Sequence, residues 1–258
     1  MSYLARILES TRKRLAEAKQ RVTVEALEQR LAGLDEPRSL RAALEGQDLS
    51  VIAEIKRASP SAGVFDANLS ATETAMAYAR GGAAAISVLT EPEFFKGSLD
   101  DLTAARTAGL SVMRKDFIVD TWQVLESRAA GADALLLIVR ALEPRSLETL
   151  LAACRTLRMD ALVEVYNEAE MFSALEAGAT IVGVNNRDLE SFEVDRERTA
   201  KLAPLVPDGV TLVALSGAHT RADIEAFQSA GAQAVLVGET LVRAADPAAE
   251  LRALRGVS

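Results

Sequence analysis

The sequence predicts an α/β fold, a closed (β/α)8 TIM barrel that carries an extra helical segment at its N-terminus. From Val51 onward, eight short apolar runs alternate with stretches of helical periodicity, which is typical of a parallel sheet. Many of the helical stretches end in glycine immediately before the next run, where a helix C-cap is expected. Eight such units in about 200 residues favour a closed barrel. The open doubly wound sheet usually has fewer strands, and the first strand here lacks the glycine-rich GxGxxG turn of its dinucleotide-binding form.

The N-terminal segment, residues 1–48, lacks strand signals and differs from the rest of the chain. Apolar residues at helical spacing predict a first helix over residues 2–20, and a second is predicted over residues 23–33 with Thr23 as its N-cap. We therefore expect a single domain in which this segment packs as a helical extension on a barrel formed by residues 49–258.

The eight predicted strands are mostly continuous apolar runs, as expected for strands buried on both faces. In order they are VIAEIK (51–56), AAISVLT (84–90), SVMRKDF (111–117), ADALLLIV (132–139), ALVEVY (161–166), TIVGVNN (180–186), TLVALSG (211–217) and AQAVLVG (232–238). The glycines that close the helices before a run are Gly82, Gly109, Gly131, Gly178 and Gly231.

Composition excludes several classes of function. The chain has 258 residues and a net charge of -8, and it has no basic stripe with interleaved aromatic residues, so we expect no nucleic-acid partner. No apolar run approaches the roughly 18 residues that a membrane span needs, so we expect no membrane partner. The lone cysteine, Cys154, cannot form an intrachain disulfide, which fits a reducing compartment and a cytoplasmic location.

The chain contains one histidine, His219, which we expect at the surface near the start of a helix. A zinc site or a Ser-His-Asp triad would depend on this single residue, so we expect no metal. Acid–base chemistry must then fall mainly to carboxylates and lysines.

Charged residues cluster at the predicted carboxyl ends of the strands, which share one mouth in a barrel of this kind. Lys56, Lys115 and Glu164 each interrupt an apolar strand, and Glu54 precedes Lys56 on the same face of the first strand. Close pairing of lysine and glutamate in a dry pocket shifts their pKa values, so this set predicts proton transfer at the mouth.

The last two strands indicate a phosphate site. Ser216 and Gly217 end the seventh strand, Gly238 and Glu239 end the eighth, and both pairs lead into helical segments. Backbone N–H groups in such turns bind anions, and barrels often bind phosphate after strands seven and eight.

Several long motifs together resemble those of the indole-3-glycerol phosphate synthase family of tryptophan biosynthesis. The resemblance runs from LARILESTR in the first helix to about residue 250, through VIAEIKRASPSAG, SVLTEPEFFKGSLDDL, VMRKDFIVDTWQVLESRAAGADALLLI, LVEVYNEAE, GVNNRDLESFEVD and VLVGETLVR. It implies closure of the indole ring of 1-(2-carboxyphenylamino)-1-deoxyribulose 5-phosphate, with loss of CO2 and water and without a cofactor. It also raises other enzymes of the tryptophan pathway as partners.

The resemblance assigns catalytic roles to the strand-end residues. It implies that Lys115 is the general acid on the ribulose carbonyl during ring closure. Glu164 and Lys56 serve the later proton transfers and the dehydration, Lys56 also holds the substrate carboxylate, and Glu54 positions the lysines. Which lysine acts in which dehydration step stays open.

The resemblance also implies residues that bind the substrate. Asn185, which we group with the catalytic residues, orients the substrate and its neighbours together with Arg187. The other expected substrate contacts are Ser216 at the anthranilate end, Phe95 and Phe117 in an aromatic pocket, and Ser59 in the loop after the first strand. The expected phosphate ligands are Arg57, Gly217, Gly238 and Glu239, the last through its backbone N–H.

The chain departs from the family pattern at one position. The family usually has Glu-Ser-Gly-Ile at the end of strand seven, where this chain has Leu215 followed by Ser216, Gly217 and Ala218. Side-chain alternation leaves open whether Leu215 or Ser216 faces inward. An inward leucine removes a charge that would balance the lysines, so we would then expect a weaker or altered site.

Two other functions compete with the synthase. Another phosphate-binding barrel, such as a phosphoribosylanthranilate isomerase, would need a Cys and Asp acid–base pair on strands one and six, whereas strand one carries Glu54 and Lys56. The other is a barrel with weakened catalysis that acts as an interaction subunit. Leu215 favours this alternative, and the presence of Lys56, Lys115 and Glu164 opposes it.

Overall fold

The computed structural model describes residues 2–46, 49–60, 62–188 and 190–257. In it eight parallel strands form a closed barrel with helices between them, which confirms the predicted fold class. The barrel strands are β1 Ser50–Ile55, β2 Ala85–Leu89, β3 Ser111–Lys115, β4 Ala134–Ile138, β5 Asp160–Val165, β6 Ile181–Asn185, β7 Thr211–Leu215 and β8 Ala234–Val237.

The barrel closes because β1 pairs in parallel with both β2 and β8. Ile52 pairs with Ala85 on one side and with Leu236 on the other, and these three side chains belong to the same interior cluster. Alternate residues such as Val51 and Ala53 belong instead to the larger cluster between the strands and the surrounding helices. Burial on both faces explains why the sequence runs are continuously apolar rather than alternating.

Twelve α-helices are described. They are α1 Tyr3–Arg21, α2 Val24–Leu31, α3 Leu40–Leu44, α4 Ala71–Arg80, α5 Leu99–Ala105, α6 Thr121–Ala129, α7 Pro144–Thr156, α8 Glu168–Glu176, α9 Arg198–Leu202, α10 Arg221–Ser229, α11 Glu239–Arg243 and α12 Pro247–Arg255. The predicted helix over residues 23–33 is confirmed, with the Thr23 side chain accepting from the Ala26 N–H at 3.2 Å. The glycines predicted to close the helices all have positive φ, a conformation that glycine adopts without steric cost.

The third helix of the N-terminal segment, α3, covers the N-terminal end of the barrel. Leu40 and Leu44 are fully buried in the interior cluster, and α3 packs against β1, β2 and β3. The Ser39 hydroxyl and the Arg41 N–H both donate to Asp160, the first residue of β5, at 2.9 and 3.0 Å. Apolar packing and hydrogen bonds together fix this helix across the floor of the barrel.

The first helix, α1, lies at the opposite end, over the loops that follow β2, β3 and β6. Arg14 pairs with Glu91 after β2 at 3.0 Å, and Lys19 pairs with Asp120 after β3 at 2.7 Å. The Tyr3 ring packs edge-on against Phe94 and Phe192 at 5.4 Å between centroids in each case. The N-terminal segment therefore runs from one mouth of the barrel to the other, and α2 lies against α6 on the outer wall.

A short antiparallel pair of strands, Ala58–Ser59 with Gly63–Val64, follows β1 and rises above the C-terminal mouth. Its return strand is fixed to the end of β1, because the Phe65 N–H donates to the Arg57 carbonyl at 2.8 Å. Within the described ranges, no helix combines the length and apolar character needed to cross a membrane.

Candidate active site

A cavity opens at the C-terminal mouth of the barrel, between the strand ends and the loops that follow them. All but two of the predicted site residues line it. The predicted residues that line the cavity are Glu54, Lys56, Ser59, Phe95, Lys115, Glu164, Asn185, Arg187, Ser216, Gly217, Gly238 and Glu239. Residues on β1, β3, β5 and β6 thus meet residues that directly follow β7 and β8 in one space, as expected for the active end of such a barrel.

Glu54 joins the two lysines of the cavity. One carboxylate oxygen lies 2.9 Å from Lys56 Nζ, and the other lies 3.3 Å from Lys115 Nζ. Burial alone would raise the pKa of Glu54, but the ammonium groups of Lys115 and Lys56 outweigh burial and hold this pKa at about 2. Glu54 is therefore ionised throughout the neutral range and holds both lysines.

Gly238 makes room for this pair. A Cβ atom at that position would lie 2.5 Å from Glu54 Oε1 and 3.2 Å from Lys56 Nζ, so any larger residue would displace the carboxylate. The glycine at the end of β8 thus allows close approach of the β1 side chains.

The pKa of Glu164, at the end of β5, is shifted in the opposite direction to that of Glu54. Burial raises its pKa above the ordinary range, and the opposing effects of Lys115 and of the hydrogen bond from Asn185 do not cancel the rise. The Asn185 amide donates to Glu164 Oε1 at 3.0 Å. A carboxyl group whose pKa is shifted toward neutrality suits transfer of a proton in either direction.

Lys115 lies within the field of both carboxylates. Burial lowers its pKa, but Glu54 and Glu164 together raise it above the ordinary lysine value. Lys115 is therefore a protonated ammonium at neutral pH, which is the form that a general acid requires.

Arg187 extends the polar wall beyond β6. Its backbone N–H donates to Asn185 Oδ1 at 3.1 Å, and its guanidinium donates to the Phe192 carbonyl at 3.0 Å. The Asn185 side chain therefore bridges Glu164 and the Arg187 backbone, which fixes the orientation of its amide.

The turn after β7 has an unusual backbone. Ser216 and Gly217 are both left-handed, with φ of 63° and 89°. The conformation is costly for serine and free for glycine, and strained residues of this kind concentrate at functional sites.

Two of the predicted site residues do not line the cavity. Arg57, predicted to bind phosphate, is turned away: its guanidinium pairs with Asp101 on α5 and donates to the Leu69 carbonyl at 2.7 Å. Phe117, predicted to line the aromatic pocket, is buried behind Phe95, with 6.3 Å between ring centroids. Neither partner could be read from the sequence, because both contacts join distant parts of the chain.

Leu215 faces into the barrel. It pairs in register with Asn185 on β6 and with Leu236 on β8, it is buried, and it lines the cavity. A Cβ atom at Gly183 would lie 2.7 Å from Leu215 Cδ1, so the leucine occupies space that this glycine leaves open. The position that the sequence left undecided is therefore an apolar part of the cavity wall.

Sequence reasoning missed several residues that line the cavity. Leu89 and Leu236 could have been found, because side-chain alternation places them on the inward faces of β2 and β8. The others are Pro60, Phe192, Ala218 and His219. His219 directly precedes a helix, as expected, and it is half-buried and contributes to the cavity wall.

Comparison with known proteins finds a family model and named relatives that match this chain over most of its length. The family model described as "Indole-3-glycerol phosphate synthase" matches residues 4–254. A protein of that name from a Parafrankia species is 49% identical over 248 residues, which cover 96% of this chain and 92% of the relative. A "Multifunctional tryptophan biosynthesis protein" from Schizosaccharomyces pombe is 50% identical over 215 residues, which cover 81% of this chain but 28% of that longer protein.

Solved structures with low sequence identity share the fold. Thiamine phosphate pyrophosphorylase from Pyrococcus furiosus superposes with a TM-score of 0.60 at 17% identity, covering 84% of this chain and 96% of that one. At this identity the likeness concerns the barrel architecture alone.

Proposed function

The chain belongs to the indole-3-glycerol phosphate synthase family, and we propose that it is a carbon–carbon lyase that converts 1-(2-carboxyphenylamino)-1-deoxyribulose 5-phosphate to indole-3-glycerol phosphate, CO2 and water. The observation that carries the proposal is one cavity in which an ionised Glu54 holds two lysines while Glu164 has a raised pKa. This arrangement supplies a proton donor and a proton acceptor without histidine or metal.

Ring closure needs a proton on the ketone oxygen. The aromatic carbon that bears the carboxylate attacks the C2 carbonyl of the ribulose chain, and the carbonyl oxygen becomes a hydroxyl as it takes a proton. Lys115 is the donor in this proposal, because it is fully protonated at neutral pH and its ammonium is fixed by Glu54. A positioned general acid contributes about 10²- to 10⁴-fold to a rate.

Two losses follow and restore the aromatic system. CO2 leaves from the carbon that formed the new bond, and its bonding electrons return to the ring. The new hydroxyl then leaves as water while a proton is removed from the neighbouring carbon. We assign this proton transfer to Glu164 with Lys56, since Glu164 has the raised pKa and Lys56 is the second ammonium on Glu54.

The remaining lining residues supply binding. In this proposal the backbone N–H groups at Gly217, Gly238 and Glu239 bind the phosphate at the ends of β7 and β8, where barrels often hold it. The aromatic ring of the substrate lies against Phe95, with Ser216 at the anthranilate end of the substrate. Ser59 and Arg187 contact the substrate from the loops after β1 and β6, and Asn185 orients Glu164. Arg57 is not retained as a phosphate ligand.

One observation favours a second candidate function. The inward Leu215 leaves the cavity with an apolar wall where the family pattern has a carboxylate. A barrel with weakened turnover that serves mainly as an interaction subunit would be consistent with that loss of charge.

The proposal also includes the partners of the enzyme and its location in the cell. The relative from Schizosaccharomyces pombe is a longer multifunctional protein of tryptophan biosynthesis, which supports other enzymes of that pathway as partners. Cys154 is unpaired and buried, which agrees with the reducing cytoplasm.

The direct test follows indole fluorescence after mixing the protein with the carboxyphenylamino-deoxyribulose phosphate. We expect turnover by the natural sequence and a loss of about 10²- to 10⁴-fold in kcat for Lys115→Met. Lys201→Met is the matched control, because Lys201 is an exposed lysine on α9 that pairs with Asp195 and Glu197. Absence of turnover in well-folded protein would refute the synthase, and full turnover by Lys115→Met would refute the role of Lys115.

A further inference from the structure

Few cationic side chains of the described residues are free to bind phosphate at the ends of β7 and β8. Among the described residues that line the cavity, the arginine and lysines are Lys56, Lys115 and Arg187. Both lysines contact the Glu54 carboxylate, and Arg187 donates to a backbone carbonyl. Arg57 is held by Asp101 outside the lining. A side-chain donor at this end would add to the backbone N–H groups that hold a dianionic phosphate.

His219 stands between the two turns that would hold the phosphate. It follows Gly217 by two residues after β7, and its ring Nδ1 lies 3.1 Å from the Thr240 hydroxyl, which follows Gly238 by two residues after β8. Its backbone N–H donates to Asp223 Oδ2 at 2.9 Å, so both its backbone and its ring are fixed. The residue is half-buried and lines the cavity.

We propose that His219 is a side-chain ligand of the substrate phosphate and donates a hydrogen bond to it from Nε2. The proposal rests on the proposed function, because it names a further binding residue for the same substrate. Thr240 occupies Nδ1, and when Nδ1 accepts from the hydroxyl the ring proton lies on Nε2. The phosphate oxygen that accepts this bond is ionised, and hydrogen bonds to ionised acceptors are shorter and stronger than neutral ones.

The charged groups around His219 permit this role. The carboxylate of Asp223 on α10 faces the loop but pairs with Arg196 at 2.7 Å. The carboxylate of Glu239 on α11 pairs with Arg243 at 3.0 Å. Both neighbouring carboxylates are thus offset by a guanidinium, and neither needs the imidazole as its counter-ion.

The test compares the natural sequence with His219→Ala and His219→Gln. We expect His219→Ala to raise the KM for the phosphorylated substrate, and the Ki of inorganic phosphate as a competitive inhibitor, by roughly 10-fold, as for loss of one hydrogen bond to a charged group. We expect kcat to change by less than about twofold, because the ring does not contact the reacting atoms. His219→Gln restores an amide donor and should recover part of the loss.

A substrate analogue without the phosphate is the control, and its kcat/KM should be the same in the natural protein and in His219→Ala. Calorimetric titration with inorganic phosphate measures the same contact without turnover, and thermal melting confirms that the variants fold. An active natural enzyme whose His219→Ala variant keeps its KM and its phosphate affinity would overturn this inference and leave the synthase intact. Absence of turnover in the natural protein, with phosphate binding that is lost in His219→Ala, would refute the synthase and support the phosphate site.

Discussion

The two ends of the barrel are built from the same eight strands, yet they differ in what their side chains do. At the N-terminal end, Leu40 and Leu44 of α3 pack on inward apolar residues such as Ile52 and Met113. At the C-terminal end, the next inward residue of β1 and of β3 is charged, namely Glu54 and Lys115. A change of two residues along a strand thus separates a packed floor from a reactive cavity.

The N-terminal segment shows the same division. Its last helix, α3, contributes buried leucines and hydrogen bonds to Asp160 at the floor. Its first helix, α1, contacts the loops that carry cavity residues, and Tyr3 packs on Phe192, which lines the cavity. One segment of chain therefore serves stability at one end and the shape of the site at the other, and substitutions at the two ends should have separable effects.

The largest combined effect on stability and turnover is expected for Glu54→Gln. This variant tests whether the charged end of the barrel also stabilises the fold. Lys56 and Lys115 would both lose their anionic partner, and breaking a buried ion pair costs about 3–5 kcal/mol of unfolding free energy. We also expect at least a 100-fold fall in kcat, because neither ammonium would be held in place.

The effect of Glu54→Gln on stability should depend on pH. The pKa of Glu54 in the folded protein is about 2, below the ordinary value of 4.5. Its ionised form therefore stabilises the fold above about pH 4.5, and that contribution disappears as the pH falls through about 2. Chemical denaturation from neutral to acid pH should show the natural protein and the variant converging, and a constant difference would contradict the pairing.

The next largest effect on stability is expected at the N-terminal end of the barrel, where α3 packs. Leu44→Ala removes a buried side chain from the interior cluster and should lower the unfolding free energy by about 2–5 kcal/mol. At a temperature where the variant stays folded, its kcat/KM should remain within about twofold of the natural value. Loss of kcat/KM in folded protein would mean that the two ends of the barrel are coupled.

The smallest effect on turnover is expected for Leu215→Glu. The new carboxyl group would be buried beside Leu236 and Gly183. Burial of a neutral polar group without a partner costs about 1–3 kcal/mol in proteins, and burial of an unpaired carboxylate costs more. The sequence alone predicts a weaker site for an inward leucine. Because Glu54 and Glu164 already supply an anion and a proton acceptor, we instead expect kcat to rise by no more than about twofold. A tenfold rise in the fluorescence assay would favour the weakened-barrel alternative.

The sequence predicted the barrel well because its signals are local. Continuous apolar runs mark strands buried on both faces, and a glycine such as Gly82 or Gly231 marks the left-handed end of a helix within a few residues. The convergence of Lys56, Lys115 and Glu164 followed from the rule that strand ends share one mouth.

The rest depended on contacts between distant residues. Arg57 follows β1 as predicted, but Asp101 from α5 determines where its guanidinium lies. The inward direction of Leu215 depends on its register with Asn185, and the position of His219 depends on Thr240 after the next strand. No local pattern separates α1 from α3 as the helix that lies over the active mouth.

Glu164→Gln tests the division between the two ends most directly, through kcat and melting temperature measured on the same samples across pH. Because burial raises the pKa of Glu164, its ionised form opposes folding, and this disadvantage is present above its folded pKa and absent below its ordinary value. We predict a loss of about 10²- to 10⁴-fold in kcat, with a melting temperature equal to or above that of the natural protein at pH 8 and no such advantage in acid. Retained turnover, or a marked fall in melting temperature at pH 8, would contradict the account.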